Sequence, residues 1–194
     1  MVPTTRGMSR AKGNDVADLV AALEAQAQQV GAVVHRATRD GVAPLATRIL
    51  EHAGCRTVAL SGALPERSSF VEAATRARLE LVSADVLWPT RRADGGLSAA
   101  ELGVAETGSV LLHSSSEDRR VELCVDVHLV LLDVNMLVPT LDEAFNTLRQ
   151  ISARPPAYAT LVSGPSRSAD IERTLTIGVH GPRELHILLL GGER

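Results

Sequence analysis

The sequence predicts an α/β fold, and three observations carry that expectation. Apolar residues recur at helical spacing from Val16 to Val30 and again from Thr38 to Ala53. Short continuous apolar runs, TVALSG at 57–62 and LHILLL at 185–190 among them, are of the kind that fills strands covered on both faces. The two kinds of segment alternate, as they do when helices pack on a sheet.

In chain order, residues 1–13 are polar with an early Pro3, and read as a disordered tail ahead of a single domain at 14–194. Asn14 or Asp15 can cap a first helix whose inner face is Val16, Leu19, Val20, Leu23, Ala27 and Val30, closed by Gly31. AVVHRA at 32–37 reads as a strand. Thr38 to Ala53 reads as a helix with Leu45, Ile49 and Leu50 on one side, ended by Gly54. After the TVALSG strand come a helix over 65–78 and a strand with its exit in LELVSADVLW, 79–88. Ser98 to Leu102 suggests a short helix. SVLLHS at 109–114 and VELCVDVHLVLLD at 121–133 read as two strands whose polar connection, SSEDRR, has hairpin length, which makes the sheet mixed. Pro139 starts a helix with Leu141, Ala144, Phe145 and Leu148 inward. RPP at 154–156 breaks the chain. ATLVSG is a strand, Ser168 to Thr176 one or two turns of helix, GVHGP at 178–182 a turn, and LHILLL the last strand.

Composition narrows the partners. Aromatic residues make up only 2% of the chain, so base-stacking surfaces are nearly ruled out. The net charge of −3 and the lack of a basic block beyond the first dozen residues argue against nucleic acid. No apolar run approaches the roughly 18 residues of a membrane span, and the start of the chain lacks the apolar centre of a secretory signal, so a cytoplasmic location is expected. Cys55 and Cys124 are too few and too far apart to hold an iron–sulfur cluster or zinc ribbon in this chain alone. Both read as small buried hydrophobes. The sole lysine, Lys12, lies in the polar tail, which excludes Schiff-base chemistry and a Walker-type phosphate loop. No G-x-G-x-x-G follows the first strand and no G-x-S-x-G elbow is present, so neither a dinucleotide site nor an α/β-hydrolase site is expected.

Three polar segments stand at strand ends, where open α/β sheets leave crevices. In Ala105-Glu106-Thr107-Gly108-Ser109 the small residues allow close backbone approach, and Glu106 can act as base, nucleophile or acceptor; it can equally serve as a turn carboxylate. Ser163-Gly164-Pro165-Ser166-Arg167-Ser168-Ala169-Asp170 runs from a strand into a turn with a guanidinium that suits an anion. Helix capping by Ser166 or Ser168 reads the same residues without a ligand. Gly178-Val179-His180-Gly181-Pro182 puts an imidazole between glycines. His128, inside an apolar strand, reads as a satisfied core histidine, and His180 with His186 is not a convincing metal pair.

Taken in order, G-x-A-E-T-G at 103–108, S-G-P-S-R-S-A-D-I-E at 163–172 and G-V-H-G-P at 178–182 resemble the LUD domain, the type found in lactate utilisation protein C and the YkgG-like proteins. The likeness covers most of the chain from about residue 15. Ser168 stands where the family often has threonine, and LCVDVHLVLL keeps His128 without the Leu-Pro-Pro stretch expected before it. The resemblance implies a three-layer α/β/α sandwich with a mostly parallel mixed sheet, like the NagB/RpiA/CoA-transferase group. It also implies a place in the oxidation of L-lactate to pyruvate beside iron–sulfur partner proteins. A small anionic ligand would then lie against Thr107, Gly108, Ser109, Gly164, Ser166, Arg167, Asp170 and Gly181, with Glu106 and His180 orienting it or moving protons. The alternative is a stand-alone CoA-transferase-like or folate-ligase-like enzyme. In it Glu106 would be the nucleophile, by analogy with a glutamate at a comparable Gly-rich turn in CoA transferases.

Overall fold

A computed structural model describes residues 13–88, 92–151, 158–169, 175–177 and 181–191. Of the expected tail only Gly13 is described, as the first residue of a helix, and the RPP break lies outside the described residues. Helix α1 (Gly13–Gln29) leads to β1 (Val33–Ala37), α2 (Arg39–His52), β2 (Thr57–Leu60), α3 (Arg67–Arg76) and β3 (Glu80–Val82). Then come β4 (Ala93–Ala99), β5 (Leu102–Val104), β6 (Ser109–Ser114), α4 (Asp118–Leu123), β7 (Val125–Asp133), β8 (Leu137–Val138) and α5 (Leu141–Ile151). The chain closes with β9 (Tyr158–Val162), β10 (Arg167–Ala169), β11 (Leu175–Ile177) and β12 (Glu184–Leu190).

Six strands form one parallel sheet in the order β1-β12-β7-β4-β2-β3. Its inner strands β12, β7 and β2 carry apolar runs because both faces are covered, while β4 between β7 and β2 is built mostly of small and polar residues. Along β7, Val127, Leu129 and Leu131 pack with α2 and α3, while Val130 and Leu132 pack with α1 on the other side. Along β2, Val58 and Leu60 face α2 and α3, and Ala59 between them faces α4. Helix α2 begins where Thr38, in extended backbone, accepts a hydrogen bond from Gly41 N at 3.1 Å, with Asp40 suiting the helix dipole. The architecture is the expected three-layer α/β/α arrangement.

A smaller sheet, β8-β5-β6-β9, fills part of the α1 layer: Val110 and Leu112 of β6 join the α1 core, and its other face, with Leu102, Val104 and Leu111, is covered by Ala144 of α5. This sheet accounts for two of the differences from expectation. The antiparallel pairs β5–β6 and β6–β9 belong to it, so the expected hairpin between β6 and β7 does not form; α4 stands between them, and they enter different sheets. The expected helix at Ser98–Leu102 is the end of β4 and the start of β5. There, pairing with β7 on one side and β6 on the other overrides the helical preference of Ser, Ala and Glu. In place of a helix over 168–176, residues 167–169 and 175–177 pair antiparallel. In α5, Ala144 is inward as expected, but Phe145 is 52% exposed, on the rim of a shallow apolar cleft against β6 and β9. Among the described residues no helix is long and apolar enough to cross a membrane.

Candidate functional site

The described parts of the three polar segments form one continuous line of contacts. Ser109, fully buried at the start of β6, shares a 2.6 Å hydrogen bond with the hydroxyl of Ser163 and a 2.7 Å bond with Thr107 Oγ1. This joins the first segment to the second. Ser166 N donates to Pro182 O at 2.8 Å, and Gly181 lies so close that an added Cβ would sit 2.9 Å from Ser166 Cβ. This joins the second to the third. Arg167 and its neighbours are described as backbone in β10, and Asp170 and His180 lie outside the described residues.

Several of these residues have structural partners. Glu106 is exposed; its backbone N donates to Pro139 O, and its Oε2 accepts from Leu141 N at 3.3 Å, at the first turn of α5. That placement suits a carboxylate, since unpaired N–H groups and the positive dipole end lie there. Gly108 and Gly164 have φ of 63° and 83°, and each approaches the carboxyl-terminal end of α1. A Cβ on Gly108 would stand 2.2 Å from Ala27 N, and one on Gly164 2.2 Å from Val30 O. The close backbone approach read from the sequence is therefore, for these two glycines, an approach to α1.

The third segment leads into the amino-terminal edge of the parallel sheet. Arg92, just before β4, donates to Gly181 O at 3.2 Å, to Val125 O at 2.5 Å and to Asp126 Oδ1 at 3.0 Å. Beside it, Asp94 accepts from Arg56 N, Thr57 N and Thr57 Oγ1. Burial alone would raise its pKa, but these bonds outweigh burial and hold it below the usual carboxylate value. At the same edge lies a group that sequence reasoning missed. His35 Nε2 meets His186 Nδ1 at 3.0 Å, and His186 Nε2 meets Glu184 Oε2 at 3.1 Å. Nothing in the sequence brings His35 to His186; the pairing of β1 with β12 does.

His128 and the two cysteines lie buried, as read from the sequence. His128 is buried, its Nε2 2.8 Å from Ser98 Oγ, and burial pulls its pKa down to about 4, so the ring is neutral. Cys55 and Cys124 are buried free thiols, and burial pushes Cys55 up to about 11. The described residues contain no group of three or more His, Cys, Asp or Glu that could hold a metal ion.

A family model, the LUD domain, matches residues 89–190, the stretch that carries all three polar segments. The chain belongs to the LUD-domain family. Among curated relatives of this LUD-domain chain, an uncharacterised protein of Neisseria meningitidis serogroup B is 39% identical over 98 residues, 50% of this chain and 42% of its own. Lactate utilization protein C of Anoxybacillus flavithermus is 32% identical over 124 residues, 63% of this chain and 53% of its own. That of Bacillus subtilis is 34% identical over 103 residues, covering 51% and 43%. The matches thus span about half the length of these relatives. The crystal structure of a DUF162 family protein from Deinococcus radiodurans superposes with a TM-score of 0.69 at 20% identity, covering 91% of this chain and 98% of that one. It establishes the shared fold.

Proposed function

We propose that this chain serves lactate utilisation as an accessory protein or subunit of an iron–sulfur system that oxidises L-lactate to pyruvate. The observation that carries the reading is its relationship to proteins named lactate utilization protein C, at 32% and 34% identity, together with the LUD-domain match over the residues that hold its polar clusters. In this reading Arg167 holds a small anion beside Ser166 and Gly181, with Thr107, Asp170 and His180 lining the same crevice and the buried Ser109 tying Thr107 to Ser163 behind it. The Ser109–Ser163 and Ser166–Pro182 bonds, which string the segments together, support that grouping. The partners would hold the iron–sulfur clusters. Glu106, engaged at the start of α5, favours this reading over one in which that residue attacks an acyl group.

Deleting the gene and growing the source organism on L-lactate as sole carbon source tests the role. Growth should fail and return with the wild-type gene; unchanged growth of the deletion strain would remove the role. Complementation with Arg167→Ala should restore growth poorly, and full restoration would dismiss the anion assignment alone.

A further inference from the structure

An open cavity of about 700 Å3 lies between the carboxyl-terminal half of α2 and the edge formed by β1 and β12. Leu45 and Ile49 supply apolar wall, and its polar groups are His35, Arg48, His52, Glu184 and His186. The two strand histidines have ring centroids 5.2 Å apart and planes inclined by 26°. Since their nearest nitrogens are 3.0 Å apart, the rings meet edge to edge, nitrogen to nitrogen, in a nearly shared plane. Each nitrogen can then be assigned. A carboxylate only accepts, so His186 Nε2 carries the hydrogen that bonds Glu184. His186 Nδ1 is left as an acceptor, His35 Nε2 donates to it, and His35 Nδ1 keeps a bare lone pair. That nitrogen has no partner among the described residues, nor do the side chains of Arg48 and His52. Arg36, next along β1, is turned to the opposite face and held by Glu24 of α1.

We propose that this cavity binds a small monocarboxylate, gripped by Arg48 and His52, with a proton taken up at His35 and shared along the His35–His186–Glu184 relay. A free guanidinium offers a forked pair of donors to one carboxylate. Glu184 on the rim opposes a second negative charge, which selects a monoanion over a dianion. Burial, and then the neighbouring His186, hold His35 below the ordinary histidine value, so it is neutral near pH 7. An anion beside Nδ1 favours the charged ring, so binding draws one proton from solvent and tightens as the pH falls. The groups facing His35 are His186 and Glu184 from β12 and Arg48 and His52 from α2. The proposal stands apart from the role in lactate use: carboxylate binding with no growth defect on deletion would remove that role only, and a growth defect without binding would remove the cavity only.

Titration calorimetry of the full chain with acetate, pyruvate and inorganic phosphate tests it. Acetate and pyruvate should bind, phosphate at least about tenfold more weakly, and affinity should rise by up to about tenfold per pH unit between about pH 8 and 6 for one linked proton. Arg48→Gln should weaken binding by about tenfold or more. His35→Gln should still bind, with a shallower pH dependence and less proton uptake between buffers of different ionisation enthalpy than the wild type, since His52 stays beside the anion. Absence of acetate and pyruvate binding, tighter binding of phosphate, a flat pH profile in the wild type, or unaltered binding by Arg48→Gln would each overturn it.

Discussion

Two carboxylates four residues apart on α4 have opposite fates, and the difference is hydrogen bonding. Asp118 accepts from Ser61 Oγ and Gly62 N at 2.7 Å and from Ser115 Oγ at 2.8 Å; burial opposes ionisation, but these donors prevail and keep its pKa low. Glu122 is 5% exposed, and its Oε2 has no hydrogen-bond partner. Burial raises its pKa to about 7; Ser114 and Arg119 pull the other way, and Asp118 adds to the rise. Ser114 is thus near enough to ease the charge, yet its own Oγ makes no bond of proper geometry. With a folded pKa above the ordinary 4.5, the acid form is undisturbed below that pH, and stability is lost as the pH climbs through about 7. Glu122→Gln should therefore be more stable than wild type at pH 8, by roughly 2–4 kcal/mol from about 1.4 kcal/mol per pKa unit, with the gap closing towards pH 4.5. Urea melts across that range measure it, and a constant gap would refute the assignment. His128 works in the other direction. Its folded pKa lies below the ordinary 6.5, so its contribution is complete above that pH and is lost as the pH falls through about 4. Ser98→Ala, which strips Nε2 of its partner, should cost about 1–3 kcal/mol at neutral pH in the same melts.

At the scale of elements, the small sheet is seated on α1 through two turns that admit only glycine. Gly108→Ala combines a positive φ of 63° with a Cβ 2.2 Å from the Ala27 backbone. The left-handed conformation costs roughly 1–2 kcal/mol and overpacking about 1–3, so the urea midpoint should fall by an amount equivalent to about 2–5 kcal/mol; a loss under 1 would mean that α1 gives way easily. These turns also mark how far the sequence could be read. The periodic segments of α1 and α2 and the apolar runs of β2, β7 and β12 were legible because burial on one stripe or both faces dictates their pattern. Strand β4, with its Asp-Gly-Gly start, and the pairing of β10 with β11 were not, since partners distant in sequence decide them. The glycines of the polar segments were legible as tight places, but the sequence does not say that α1 is what they touch. His35 and His186, 151 residues apart, could not be matched at all.

The parallel sheet depends on bringing its first and last strands together. Strand β12, the last of the described elements, lies between β1, the first strand, and β7. It supplies Leu185, Ile187 and Leu189 to the α1 core and Leu188 and Leu190 to the α2–α3 core. All five side chains are buried, and at about 1.5–3 kcal/mol for each aliphatic side chain they contribute on the order of 10 kcal/mol. That is comparable to the entire stability of an ordinary domain, about 5–15 kcal/mol. The loss is not confined to one face, because alternate residues of the strand serve both layers, and removing it also leaves β1 without a described strand neighbour and opens one edge of β7. A chain ending at Arg183 should therefore have no cooperative unfolding transition and poor amide dispersion in NMR spectra. Adding the missing segment in trans as a peptide should restore the transition, since helices α1 and α2 would regain the surface on which they pack. A cooperative melt from the truncated chain would show instead that β7 and the α2–α3 core fold independently of β12, and the pairing of β1 with β12 would then serve the His35–His186 cavity rather than the fold.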